Sequence, residues 1–155
     1  MDLKVEKGDT QLVQDLIEVH ATLNEGGRHW HPKTWRATEK RGGEKVKCKC
    51  LVSGINSVAN EGTTRHSDMA EALFAQLPYQ YRYGAKSLNT MNRRDRVKSK
   101  VSRLVTFNDT RLKYKYGSKS YVSWLPEWGT KEFDRAWKQV EGLILRTVTR
   151  ERKKT

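Results

Sequence analysis

The 155-residue chain has the length of one domain, and its 35% hydrophobic content allows one lean core. Its 31 Lys and Arg against 18 Asp and Glu leave a net charge of +13, which favours polyanionic partners. No stretch approaches the roughly 18 consecutive apolar residues of a membrane span, and MDLKVEKGDT places charges where a secretory signal needs an apolar run. A cytoplasmic protein is expected, with Cys48 and Cys50 as reduced thiols too close in sequence to staple a fold.

The charge is unevenly placed. Residues 1 to 25 sum to −4, whereas 28 to 49 carry +6, 82 to 103 carry +7, and 111 to 120 and 146 to 155 carry +4 each. Four basic blocks thus sit on a mildly acidic scaffold, the distribution of an anion-binding protein.

In chain order, residues 9 to 25 begin with the cap candidates Asp9 and Thr10. Leu12, Val13, Leu16, Ile17, His20 and Leu23 share one face of an amphipathic helix that Gly26 and Gly27 end. His20 is expected as a hydrogen-bonded core histidine. Residues 28 to 49 lack a helical period, contain Pro32 and Gly42-Gly43, and read as a long basic loop. Within it Trp30 and Trp35 either pack back on the domain or offer stacking surfaces between Arg28, Lys33 and Arg36.

From Cys48, the spacing of Leu51, Val52, Ile55, Val58 and Ala59 predicts a helix, with Gly54 allowing close approach and Gly62 as terminator. Alternation of Val46, Cys48 and Cys50 with lysines offers a competing strand through VKCKCLV. A further helix spans roughly Ser67 to Gln76, carries Met69, Leu73 and Phe74, and stops before Pro78. Tyr79, Tyr81 and Tyr83 at period two suit an extended segment.

The stretch from Asn92 to Asp109 predicts a helix with unlike faces. Val97, Val101, Leu104 and Val105 form an apolar stripe, against a cationic arc of Arg93, Arg94, Arg96, Lys98, Lys100 and Arg103. Two alternating runs around Gly117-Ser118 predict a hairpin of residues 111 to 116 and 120 to 125. The last helix, TKEFDRAWKQVEGLILRTVTRE, carries Phe133, Trp137, Val140, Ile144 and Val148 on one face, and residues 149 to 155 form a basic tail that frays. The expected fold is mainly α: about five helices in a single compact domain, residues 1 to 148, with a minor β-hairpin.

Three segments interleave aromatic residues with cations, as proteins that hold single strands do. They are Arg28 to Arg36 with Trp30 and Trp35, Tyr79 to Lys86 with its tyrosines, and Arg111 to Lys119 with Tyr114 and Tyr116 between Lys113 and Lys115. The basic helix also suits a groove, although no helix-turn-helix turn precedes it. His29, His31, Cys48 and Cys50 supply a donor set that zinc accepts, but HxH and CxC spacings are poor for a structural site, so ordinary thiols and loop histidines are preferred and no metal or cofactor is expected. There is no GxSxG, P-loop or HExxH. Asn108-Asp109 is the only pair worth testing for catalysis, and it reads more simply as a helix terminus and cap.

The order of Cys50 and Gly54 in a small-residue helix, then Phe107-Asn108-Asp109, then a terminal amphipathic helix resembles a family of uncharacterised small proteins from actinobacteria and their phages. That family shows a Cys-rich small-residue helix and a Trp-Asn-Asp motif, and Phe107 stands here in place of the Trp. The resemblance implies a mostly helical single domain of phage or accessory-gene origin, with no assigned activity to carry over. The expected function is a non-enzymatic protein binding DNA or RNA, or a nucleic-acid-bound machine. The alternative is an inhibitor that docks on an acidic surface of a host protein, such as a polymerase or a defence factor.

Overall fold

The computed structural model describes residues 3–82, 85–116 and 126–154, in backbone only for 85, 86 and 110–116. Thr10 caps the first helix, α1 (Gln11–Leu23), by accepting a hydrogen bond from Val13 N, and buries Val13, Leu16, Ile17, His20 and Leu23 as their spacing predicts. His20 is a core histidine, with Nε2 2.9 Å from Glu141 Oε2.

Residues 28 to 49 depart from the long-loop expectation. They contain a two-stranded antiparallel sheet, β1 (Arg36–Arg41) and β2 (Glu44–Lys49). Gly42 and Gly43 form the connection with φ of +62° and +82°. A two-residue turn with both centres at positive φ matches the right-handed twist of the strands, and only glycine adopts it without strain. The alternation around Val46 and Cys48 is therefore a strand signal. It stops at Cys50, where the helical reading takes over: Cys50 Sγ accepts from Ser53 N at 3.5 Å and caps α2 (Leu51–Val58).

Gly54 allows the close approach expected of it, since a Cβ there would stand 3.2 Å from Leu23 Cδ1. Thr63 caps α3 (Thr64–Ala75), which starts three residues before the expected Ser67. Tyr79 and Tyr81 belong to a single helical turn, α4 (Tyr79–Arg82), rather than an extended segment, and Tyr81 is buried edge-on against Phe107. A 3-10 helix (Ala85–Thr90) leads to α5 (Arg93–Tyr116).

The fifth helix overruns its expected end at Asp109 and absorbs the first arm of the predicted hairpin, residues 111 to 116. The second arm, 120 to 125, lies outside the described residues. Asn108 is thus neither a terminus nor a cap. The last helix, α6 (Lys131–Lys153), starts at its Thr130 cap and buries Phe133, Trp137, Val140, Ile144 and Val148. It runs through residues 149 to 153, where Arg152 forms a two-pronged pair with Asp9 at 3.0 Å, so the expected frayed tail is helical up to Lys153.

Six helices and one hairpin give a mainly α architecture among the described residues. One cluster of buried side chains draws on all six helices, and each large side chain it takes from water contributes about 1.5–3 kcal/mol. Trp30 lies inside that cluster at 0% exposure, with ring centroids 5.3 Å from Phe133 and 5.8 Å from Trp137. It is a core residue whose full burial leaves no stacking face, and its indole finds a buried polar partner: Nε1 donates to Asn108 Oδ1 at 2.8 Å.

The same Asn108 oxygen accepts from Leu51 N at 3.1 Å, and Nδ2 donates to His31 O at 3.3 Å and to Asp109 Oδ1 at 2.9 Å. Asn108→Ala leaves an indole N–H and a backbone N–H buried without acceptors, at about 1–3 kcal/mol each. Urea unfolding should show the variant less stable by about 2–5 kcal/mol, and a loss below about 1 kcal/mol would contradict this role.

Candidate nucleic-acid interface

The strand register decides which hairpin side chains share a face. Directly opposed residues of an antiparallel pair project to the same side, and neighbours along a strand alternate. The pairs Arg36 with Lys49, Thr38 with Lys47, and Lys40 with Lys45 therefore form one face. Five of its six positions are cationic. Arg36, Thr38, Lys40, Lys45 and Lys47 are exposed and Lys49 is half-buried.

The other face holds Ala37 with Cys48, Glu39 with Val46, and Arg41 with Glu44. Val46, Cys48 and Arg41 are buried against the body of the protein. Both acids of the hairpin are spent away from the outer lysines: Glu39 meets Arg41 and His31, and Glu44 meets Arg28 at 2.6 Å. Among the described residues, no ion pair engages Arg36, Lys40, Lys45, Lys47 or Lys49. Like charges placed directly opposite each other destabilise a strand pair. An anion lying across the face removes that repulsion.

Arg41, only 1% exposed, holds the ribbon down. Its Nη1 donates to the carbonyls of Gly27, Arg28 and Trp30 at 3.1, 2.8 and 2.6 Å, and its Nη2 pairs with Glu39 at 3.0 Å. The guanidinium also lies 5.0 Å from the Phe133 ring centroid and 5.5 Å from that of Trp128, within reach of cation–π attraction.

His31 braces the same layer. Its Nδ1 accepts from Lys33 N at 3.1 Å and Thr34 N at 2.7 Å, so Nε2 carries the proton and donates to Glu39 Oε2 at 3.0 Å. Burial pushes the imidazole below its usual pKa, against the pull of the Glu39 carboxylate. Lys33 and Trp35 sit at the ribbon's base, and Trp35 is 44% exposed.

The structure separates the other expected site residues from this face. Arg28 is half-buried and bound to Glu44. On α5, Arg93 pairs with Asp68 at 3.2 Å, Arg96 with Glu71 at 3.4 Å, and Arg103 donates to Tyr81 O at 3.0 Å. Lys100 Nζ lies 5.2 Å from the Phe74 ring centroid. These four side chains clamp α3 and α4 onto α5. Arg94 and Lys98 remain exposed, on a groove of about 920 Å³ between α5 and the first turn of α3, which Glu61 and His66 also line. Lys113, Tyr114, Lys115 and Tyr116 fall on the last turns of α5, where the backbone alone is described.

The four zinc candidates do not converge. His31 is committed to Glu39, Cys48 Sγ faces the carbonyls of Arg28 and Val46, and Cys50 caps α2. No group of three or more His, Cys, Asp or Glu is placed to hold a metal among the described residues. Burial also pushes both thiols above their usual pKa. Lys40, Lys45, Lys47 and Lys49, which share this face, are not singled out by the sequence reading. The signal for them was the Gly42-Gly43 pair beside the alternation at Val46 and Cys48, which fixes both turn and register.

A histidine with a lowered folded pKa binds protons more weakly in the fold than in the unfolded chain. The stability it contributes is complete above its ordinary value of 6.5 and is lost as pH falls from there towards the folded pKa. His66, also held low by burial, adds to the same slope. Unfolding free energy should therefore be flat just above pH 6.5 and decline below it, and His31→Asn should flatten part of that decline. A profile as steep in the variant as in the parent would remove His31 from this account.

Among the described residues, no helix is long and apolar enough to cross a membrane. Comparison with known proteins gives no precedent for the surface: no protein-family model, curated protein or solved structure matches the chain.

Proposed function

We propose that the protein is a non-enzymatic nucleic-acid-binding protein whose principal contact is the outer face of the β1–β2 ribbon. The observation that carries this reading is the segregation of Arg36, Lys40, Lys45, Lys47 and Lys49 onto one face, with the hairpin's acids, Glu39 and Glu44, on the other face and paired there to His31, Arg41 and Arg28. A surface serving solubility alone intersperses both signs, because mixed charge avoids the repulsion that this face accepts. Same-face residues along one strand repeat at about 6.6–6.8 Å, which gives two parallel rows of cations for a phosphate backbone. Trp35 at the base adds one exposed aromatic beside Lys33.

Counterion release makes the test quantitative. Five phosphate contacts give a slope of log affinity against log salt of about −4.5 on a duplex and about −3.5 on a single strand. Filter binding across a salt series should return a slope in this range. The triple change Lys45→Glu, Lys47→Glu and Lys49→Glu should abolish specific retention, whereas Arg94→Glu with Lys98→Glu on α5 should weaken it less. Binding indifferent to salt, or an unchanged affinity in the ribbon variant, would sink the proposal. A nuclease-resistant complex with an acidic protein would instead assign the ribbon to a protein partner.

A further inference from the structure

Resting on that reading, we infer that the ribbon binds duplex DNA by lying lengthwise in the major groove, in preference to single strands or duplex RNA. Three observations converge on this geometry. The first is shape. The sheet contains two strands only, one face is buried on the body, and the other is presented outward. A Cβ placed at Gly42 or Gly43 would meet no atom within 4 Å, so the turn itself is open to a partner, while Arg41 and Glu44 beside it tie the ribbon to the body. Two strands spaced about 4.8 Å apart, with side chains along the outer face, fit a major groove about 12 Å wide. They do not fit a minor groove about 6 Å wide, nor the deep and narrow major groove of A-form RNA.

The second observation is the face's chemistry. Proteins that hold single strands stack successive bases on aromatic side chains. None of the six outward positions is aromatic, and the nearest exposed ring, Trp35, precedes the strand. Long cations instead occupy both rows, where they reach the phosphate walls on either side of a groove.

The third observation is the one break in the cationic pattern. Thr38, opposite Lys47 in the central pair, is short and carries a hydroxyl and a methyl. That position faces the groove floor, where a hydroxyl meets base-edge donors or acceptors and a methyl meets thymine. Arg36, at the base end, has the fork that grips a phosphate through two parallel bonds. Six residues per strand cover about 20 Å, or about six base pairs of duplex.

Fluorescence anisotropy with the whole protein tests the assignment, using one short sequence as duplex DNA, as its single strand and as duplex RNA at the same salt. Duplex DNA should bind at least about tenfold more tightly than the other two. Glucosylated hydroxymethylcytosine, which fills the major groove, should block binding, and netropsin, which occupies the minor groove, should leave it intact. Equal affinity for all three nucleic acids, or displacement by netropsin with no effect of glucosylation, would overturn the major-groove assignment. If binding in that case still fails in the Lys45→Glu, Lys47→Glu, Lys49→Glu protein, the nucleic-acid reading survives alone. If no nucleic acid binds the parent protein, both fall together.

Discussion

Asn108 joins pieces of chain that are far apart in sequence. Its carboxamide accepts from Trp30 Nε1 and Leu51 N and donates to His31 O, so the segment entering the hairpin and the helix leaving it meet at one point in the middle of α5. A buried amide with both ends engaged specifies a single arrangement, because any rotation or shift strands a donor or an acceptor in a medium that charges heavily for it. The position of Trp30 in the core follows from this bond. So does the seat of His31, and from His31 and Trp30 the seats of Glu39 and Arg41 beneath the ribbon. The outer cationic face is thus set by polar bonds made underneath it.

The helices that the sequence disclosed are those whose signals are local. Thr10 caps where cap chemistry predicts, and the apolar spacing of α1 and α6 matches their buried faces. Where the reading failed, the deciding partner was distant. Asn108-Asp109 resembles a helix end because asparagine is poor in helix interiors, yet its tertiary bonds outweigh a propensity cost below about 1 kcal/mol. Trp30 lies among cations in sequence, and adjacency cannot show that its ring points at Phe133 and Trp137. Residues 28 to 49 pass for a loop because the outer half of the ribbon is nearly all lysine and arginine, a composition that strands rarely carry.

The basic helix and the basic hairpin make opposite uses of the same residue types. On α5 Arg93, Arg96 and Arg103 meet Asp68, Glu71 and a backbone carbonyl, so their charge fastens helices to one another. On the ribbon the acids belong to the opposite face, and among the described residues no ion pair engages the outer charge. Net charge does not distinguish these cases. The register of two short strands does.

Cys50 is the only residue between β2 and α2, and it serves both, ending the strand and capping the helix. A connection of one residue has no slack. The ribbon continues directly into a helix packed through Gly54 against Leu23, so a partner docking on it would meet a preset shape. Little ordering entropy is then lost on association. The encounter rate is left to charge steering and diffusion, with no folding step to wait for.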